Sequence, residues 1–200
     1  MCALAGLVAG VYRDTEPVVH RALENASHVY VTEREGRLCA VLFANLEDPL
    51  GCGGSTYIGL LLRSAETGTS RDVDRVIRAM VEDARTAERE AGIPAWTVMC
   101  TASATPARLF RHHFTDVSPR VDGSLAADAE AVLRGLPASW AAGGGGSCVV
   151  RGRAASYYRA AAYTSRAAVE LVESEPWLRG TGFSEAAGDR VVFLGRLRPC

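Results

Sequence analysis

The sequence contains no lysine, and all 22 of its basic residues are arginine. A Schiff base or a lysine general base needs an amine that can lose its proton, whereas arginine stays protonated in proteins. This composition therefore excludes lysine-based covalent chemistry. The 23 acidic residues bring the net charge to −1, a balance that implies neither a disordered chain nor a strongly anionic partner.

Cysteine clusters are also absent. The six cysteines are widely spread, with no CxxC motif and no cysteine–histidine group at zinc-ligand spacing. They are Cys2, Cys39, Cys52, Cys100, Cys148 and Cys200. We expect buried free thiols in a cytoplasmic protein, and no metal ion.

The sequence has no long hydrophobic run. Residues 1–11 are uncharged and apolar, but they carry no basic n-region and are too short to cross a bilayer. We expect a buried helix there and no membrane association. The length of 200 residues and the 48% apolar content predict one globular domain, residues 1–200. Within it, the glycine-rich residues 141–147 are expected to be a flexible linker before a C-terminal helical segment and a final strand.

What the sequence does contain is a strong helical period at residues 71–91. Apolar residues recur there at the i, i+3, i+4, i+7 spacing, which predicts a long amphipathic helix. Ser70 is the expected N-cap, and Gly92 is the expected glycine just past the end. Before it, we predict a short helix at residues 18–26, separated from the first helix by a break at Pro17.

Several strands and short helices surround this helix. Alternating patterns predict an antiparallel hairpin of residues 28–32 and 37–46 around a turn at 33–36, followed by a strand at 56–62. After the long helix we predict a strand at 95–101, a helix at 106–113, a helix at 124–136 capped by Ser124, a helical segment at 154–174 and an edge strand at 191–197.

Over residues 11–119 this order of elements resembles the GNAT superfamily of acyltransferases. The text Ala107-Arg-Leu-Phe-Arg-His-His-Phe114 looks like the family's A-x-x-L-Y-x-x-x-G-F segment. The resemblance implies an α/β (α+β) fold with a mixed, mostly antiparallel central sheet flanked by helices. It also implies a cytoplasmic N-acyltransferase that moves an acyl group from a thioester to an amine of a small-molecule acceptor, here placed in specialised metabolism.

The resemblance further implies acetyl-CoA or another acyl-CoA as co-substrate, bound where the strands at 56–62 and 95–101 splay apart. Backbone N–H groups of a splayed strand can stabilise the oxyanion, and a helix start can hold a pyrophosphate. The residues implied for these two roles are Leu60, Leu61, Leu62, Gly68, Ser70, Arg71 and Arg75.

Two departures from the family pattern affect the site. Asp72 and Asp74 stand where the pyrophosphate loop carries glycines, and Arg63, Arg71 and Arg75 can offset their charge. We expect paired Asp→Gly changes there to tighten CoA binding.

Phe110 stands where many members carry a proton-donating tyrosine, so protonation of the thiolate is expected from Cys100, His112, His113 or water. The candidate general bases are Glu47, Asp48 and Glu66.

Two alternatives keep the fold but change the function. Between Glu130 and Glu170 there is no acidic residue, and the arginines at 134, 151, 153, 159 and 166 could hold a carrier-protein thioester or an aminoacyl-tRNA as donor. A non-catalytic GNAT-fold binding module is the other alternative. A homodimer is also compatible with the sequence.

Overall fold

The computed structural model describes residues 4, 6, 7, 15–49, 51, 54–92, 95–136, 147–152 and 165–198. Most of the predicted helix at 1–11 and linker at 141–147 lies outside these residues, as does the stretch 154–164. The chain divides into two compact units, residues 1–95 and 96–200, and each is described by itself. No helix within the described ranges is long and apolar enough to span a membrane.

Besides the helical residues 4, 6 and 7, the described part of the first unit contains two helices and three strands. They are α1 (Thr15–Asn25), β1 (His28–Arg34), β2 (Arg37–Asn45), β3 (Ser55–Arg63) and α2 (Ser70–Ala91). The strands pair antiparallel in the order β1-β2-β3. The predicted break at Pro17 is wrong, because α1 begins at Thr15 and the proline lies in its first turn, where a missing N–H costs nothing.

The β1–β2 hairpin is tighter than the sequence suggests. Strand β1 continues to Arg34, and only Glu35 and Gly36 remain in the turn. Both have positive φ, 53° and 72°, as a two-residue hairpin turn of the primed type requires. The predicted four-residue turn is therefore two residues too long, and the extra strand length carries Arg34 to the end of the hairpin.

Helix α2 is the predicted long helix, and its buried residues are those of the apolar stripe together with Asp72: Asp72, Val73, Val76, Ile77, Met80, Val81 and Ala84. It packs against all three strands of the unit. Gly92 ends it in the left-handed conformation with φ 68°, as expected. The N-cap is Thr69 and not Ser70, because the capping box pairs Thr69 with Asp72 three residues later.

The second unit has one central strand. Its elements are β4 (Trp96–Thr101), α3 (Ala104–His113), β5 (Phe114–Ser118), α4 (Ala127–Gly135), β6 (Val149–Val150), α5 (Ser165–Ser174), 3₁₀ turns at Pro176–Gly180 and Glu185–Ala187, and β7 (Arg190–Leu197). Strand β7 pairs antiparallel with β4 on one side and with β5 and β6 on the other.

Three sequence predictions in this unit need correction. The final strand is not an edge strand, since β7 lies between β4 and β5 and seven of its eight residues are buried, all but Arg196. Strands β5 and β6 were not predicted. Ser124 does not cap a helix, because it lies in a turn bonded to Asp122, and α4 begins at Ala127.

The described part of the chain thus has seven strands, antiparallel within each unit, with helices packed against them. This confirms the predicted mixed α/β class. The order of hairpin, strand, long helix, strand and short helix also confirms the order of elements that the GNAT resemblance implies. The predicted single domain stays a prediction.

Candidate functional site

The first unit contains a pocket of about 360 Å³ at the start of α2. Its lining combines the first turns of that helix with the end of the β1–β2 hairpin: Arg34, Thr69, Ser70, Arg71, Asp72 and Arg75. The predicted cofactor-binding residues Ser70, Arg71 and Arg75 all line this pocket. Three arginines and one aspartate give it a net charge of about +2 when all are ionised. The lining therefore suits an anion of two negative charges.

The loop before α2 is bound firmly to strand β2. The Ser64 N–H donates to the Cys39 carbonyl at 2.8 Å, and the Thr67 hydroxyl donates to the Leu38 carbonyl at 3.2 Å. The Thr67 N–H also donates to the Ser64 hydroxyl at 3.1 Å. These bonds fix the path of the chain from β3 into the start of α2, where the pocket lies.

Gly68 serves this loop through its small size. A Cβ at this position would lie 2.3 Å from the Cys39 carbonyl oxygen and 2.7 Å from that of Ser64. Its N–H already donates to the Ser64 carbonyl at 3.1 Å. Close packing of the backbone therefore explains why this position is a glycine. Its amide is not free to bind a ligand.

Two backbone N–H groups at the start of α2 have no partner among the described residues, those of Ser70 and Arg71. The first four amides of a helix have no intrahelical acceptor, and here the Thr69 N–H donates instead to the Asp72 carboxylate at 2.8 Å. The Asp72 N–H reaches the Thr69 carbonyl at 3.1 Å. Only two amides are thus left for an anion. Binding of an anion here therefore depends more on the arginine side chains.

Asp72 is buried below the pocket, with 2% of its surface exposed. The Thr69 hydroxyl donates to it at 2.7 Å, the Thr69 N–H donates as well, and Arg34 contributes two longer bonds of 3.2 and 3.3 Å. These bonds, that of the Thr69 hydroxyl foremost, hold the pKa of Asp72 below its usual value. The hydrogen bonds of the capping box therefore stabilise its negative charge.

Asp74 is occupied by a different partner. Its carboxylate accepts from Arg78 Nε at 2.7 Å, one turn along the helix. From the sequence alone, both aspartates are expected to oppose a bound pyrophosphate through their charge. The contacts show instead that each carboxylate has its own cationic partner, so the repulsion is smaller than their position at the helix start suggests.

The candidate bases Glu47 and Glu66 are not brought together. Glu66 is exposed in the turn between β3 and α2, near the pocket. Glu47 is exposed just beyond β2, whose last residue Asn45 pairs with Tyr57 near the beginning of β3. Because β3 has nine residues at about 3.3 Å each, the two carboxylates flank opposite ends of a strand about 30 Å long. Asp48, beside Glu47, accepts from the Ser55 hydroxyl at 2.6 Å.

The three leucines predicted to supply oxyanion N–H groups differ in their pairing. Leu61 and Leu62 are in register with Leu42 and Val41 of β2. The register then shifts before Ala44 pairs with Ile58, so Gly59 and Leu60 lie in an irregular stretch with one extra residue on β3. Since a bulge leaves a residue outside the regular ladder, Leu60 is the best placed of the three.

The remaining candidates belong to the second unit. Phe110 is 2% exposed and stacks on Phe114 with ring centroids 4.4 Å apart, so the position of the family's tyrosine is part of the hydrophobic core. His112 is exposed at the end of α3, and its ring lies 4.9 Å from that of His113 in an edge-on arrangement. Cys100 is partly exposed on β4 and pairs in register with Val192.

The arginine-rich segment is only partly described, and its described members have acidic partners. Arg151 forms an ion pair of 2.6 Å with the buried carboxylate of Asp189, and Arg134 lies 3.6 Å from Glu130. Asp189 also accepts from the N–H groups of Gly152 and Ser184. The side chains of Arg153, Arg159 and Arg166 lie outside the described residues. Arg151 therefore has a structural partner and is not a free cation.

One lining residue of the pocket, Arg34, has no counterpart in the sequence-based site. It lies 38 residues before Asp72, and only the pairing of β1 along the sheet brings the two together. The signal that could have found it is the alternation of β1, extended by two residues to the Glu-Gly turn. That extension places Arg34 at the tip of the strand that packs on α2.

Comparisons with known proteins give structural likeness alone. No family model and no curated protein sequence matches the chain. Among solved structures, an aminoglycoside 6'-acetyltransferase type Ii matches with a TM-score of 0.43 and 10% identity, covering 60% of this chain and 80% of its own. An agmatine N-acetyltransferase matches with a TM-score of 0.37 and 15% identity, covering 63% and 83%.

An N-acetylglutamate synthase from Neisseria gonorrhoeae, complexed with coenzyme A and N-acetyl-glutamate, matches over 98% of this chain but 32% of its own, with a TM-score of 0.46 and 12% identity. All three TM-scores are below 0.5, and likeness at this level does not determine what a chain binds or catalyses. The resemblance to the GNAT superfamily therefore rests on the chain's own order of elements.

Proposed function

We propose that this protein is a GNAT-type N-acyltransferase that transfers an acyl group from acyl-CoA to an amine of a small-molecule acceptor. The observation that carries the proposal is the arginine-lined pocket at the start of α2, the helix that follows strand β3 after a six-residue loop. A helix start offers unpaired N–H groups and a partial positive charge to phosphate oxygens. The same pocket adds the guanidinium groups of Arg71 and Arg75.

In this proposal the diphosphate of the donor binds to the N–H groups of Ser70 and Arg71 and to the side chains of Arg71 and Arg75. Gly68 acts by its small size, which lets the loop lie against β2. The pantetheine arm extends from the pocket along β3 towards Gly59 and Leu60. There the N–H of Leu60 polarises the thioester carbonyl and stabilises the oxyanion that forms on attack.

The transfer step needs one base and one acid. The amine nitrogen attacks the thioester carbon, the C–N bond forms, the C–S bond breaks, and the amine proton leaves to a base while the thiolate takes up a proton. Glu47 is the proposed base, since it lies towards the beginning of β3, whereas Glu66 lies at the diphosphate end. The thiolate is proposed to take its proton from water, because Phe110 has no proton to give.

Titration with CoA tests the donor. Isothermal titration should show binding to the wild-type protein, and Arg71→Ala or Arg75→Ala should weaken it about tenfold, as expected for the loss of a charge-assisted hydrogen bond. Arg89→Ala is the matched control, because Arg89 lies in the last turn of the same helix. Absence of CoA binding in the wild type would exclude the proposal.

Release of free thiol from acetyl-CoA, and from longer acyl-CoAs, in the presence of a panel of small amines tests the reaction. Amine-dependent thiol release that falls in Glu47→Gln supports catalysis with Glu47 as base. If CoA binds but no amine yields thiol, the protein is a binding module on the same fold. A macromolecular donor is less favoured, because Arg151 is already paired with Asp189.

A further inference from the structure

We infer that Arg34, on the β1–β2 hairpin, is a third anion-binding side chain of the α2 pocket and makes donor binding specific for the diphosphate. The inference rests on the proposed function for the identity of the ligand. It concerns a residue that lies far in sequence from the helix start. Arg34 shares the pocket with Arg71 and Arg75, so two different elements supply the positive charge.

The course of β1 along α2 explains how Arg34 reaches the pocket. The Tyr30 hydroxyl donates to the Asp83 carboxylate at 2.9 Å, and Arg34 donates to Asp72. Four strand residues at about 3.3 Å span about 13 Å, and eleven helical residues at about 1.5 Å span about 16 Å. The strand therefore runs antiparallel to the helix over this length and delivers Arg34 to its N-terminal end.

The bonds that hold Arg34 in place are weak ones. Its contacts with Asp72 are 3.2 and 3.3 Å long, its bond to the Thr67 carbonyl is 3.5 Å, and its side chain is 53% exposed. The pair is half-buried, because its carboxylate is 3% exposed, but its long bonds leave the guanidinium end open to solvent. Asp72, by contrast, also has the shorter bonds from Thr69. The carboxylate therefore keeps its main partners if the guanidinium turns towards a phosphate.

Charge and geometry both favour this role. Without Arg34, the pocket would hold two arginines and Asp72, a net charge of about +1, which is too little to match a diphosphate. With Arg34 the net charge is about +2. A guanidinium also presents several donors in a fork that fits phosphate oxygens, whereas the helix start itself offers only two free amides.

The test compares two ligands that differ in phosphate. CoA and pantetheine are titrated into the wild-type protein and into Arg34→Ala, Arg34→Lys and Arg37→Ala, at 50 and 500 mM salt. Arg37 is the matched control, because it faces Arg34 across the hairpin but does not line the pocket. Thermal melts of each variant check that the fold is kept.

We expect Arg34→Ala to weaken CoA binding about three- to tenfold at low salt, with little effect on pantetheine and a smaller effect at high salt. Arg34→Lys should restore part of the affinity, and Arg37→Ala should bind like the wild type. If Arg34→Ala weakens both ligands alike, or binds CoA as tightly as Arg37→Ala does, the inference is wrong while the proposed function stands.

Inorganic pyrophosphate separates the two proposals. If the wild type binds pyrophosphate in an Arg34-dependent manner but binds no CoA, Arg34 is an anion ligand and the proposed acyltransferase is wrong. If CoA binds and pyrophosphate competes equally in the wild type and Arg34→Ala, the proposed donor stands and Arg34 has only its structural bond to Asp72.

Discussion

The carboxylate of Asp72 takes part in capping the N-terminus of α2. It accepts from both the N–H and the hydroxyl of Thr69, so the helix start is capped from within. The sequence-based expectation that glycines at 72 and 74 would tighten CoA binding is therefore inverted for Asp72: without this side chain the Thr69 N–H loses its acceptor and the helix start frays. A weaker helix start would bind an anion less well.

Replacing Asp72 by asparagine should lower the melting temperature in a pH-dependent way. The pKa of Asp72 is lowered in the folded protein, so its stabilisation is complete above the unfolded value of about 4 and disappears as the pH falls through the folded pKa. Thermal melts from pH 7 to pH 3 should show a difference in melting temperature between the wild type and the variant that becomes smaller below about pH 4. A difference in melting temperature that stays constant over this pH range would contradict the conclusion that the charge of Asp72 stabilises the fold.

Gly68 allows a second test at the same scale. Gly68→Ala should destabilise the protein by about 3 kcal/mol or more, because its Cβ would overlap backbone atoms of Cys39 and Ser64 that cannot move independently. Gly135→Ala is the control, since a Cβ there meets nothing within 4 Å and the residue lies in a helix. Urea denaturation measures both. Equal stability of the two variants would mean that the loop can shift away from β2.

Among the elements, the long periodic patterns predict the structure correctly, whereas the predicted caps, the hairpin turn length and the distant strand pairings do not. The period of α2 is visible within its own 22 residues, and Gly92 marks its end. Strand β5 has five residues, and its partners in β7 lie about 80 positions further on, so no local pattern reveals it. The central position of β7 and the role of Arg34 depend on such pairings in the same way. The sequence therefore predicts the type of each long element and places Ser70, Arg71 and Arg75 at the helix start, but it does not predict the pairing order or the hairpin's contribution to the pocket.

The buried stripe of α2 gives the prediction at this scale. Met80 is fully buried against the sheet, so Met80→Ala should cost about 2–5 kcal/mol through lost burial and the cavity that remains. Arg78→Ala, two residues away on the exposed face, should cost less than about 1 kcal/mol, the usual range for an exposed ion pair. Urea denaturation of both variants is the measurement. A loss below about 1 kcal/mol for Met80→Ala would show that the stripe does not form the core of the first unit.

At the scale of the whole molecule, the distribution of tryptophan makes the two units separately observable. Trp96, Trp140 and Trp177 all belong to residues 96–200, and residues 1–95 contain no tryptophan. Tryptophan fluorescence therefore originates in the second unit. Far-ultraviolet circular dichroism includes α2, the longest described helix, which belongs to the first unit. The two signals together can show whether the units unfold as one.

We expect them to unfold as one domain. In a two-state transition every probe gives the same midpoint, and a core mutation shifts all probes equally. Met80→Ala, in the first unit, should thus lower the urea midpoint of tryptophan fluorescence as much as that of circular dichroism. Leu171→Ala, at a fully buried position of the second unit, is the reciprocal variant and should also move both signals together. The contrary result is a fluorescence midpoint that stays at the wild-type value in Met80→Ala while the dichroism midpoint falls. The second unit would then keep its structure after the first had lost its core. That result would show two independently folding units and would contradict the single domain.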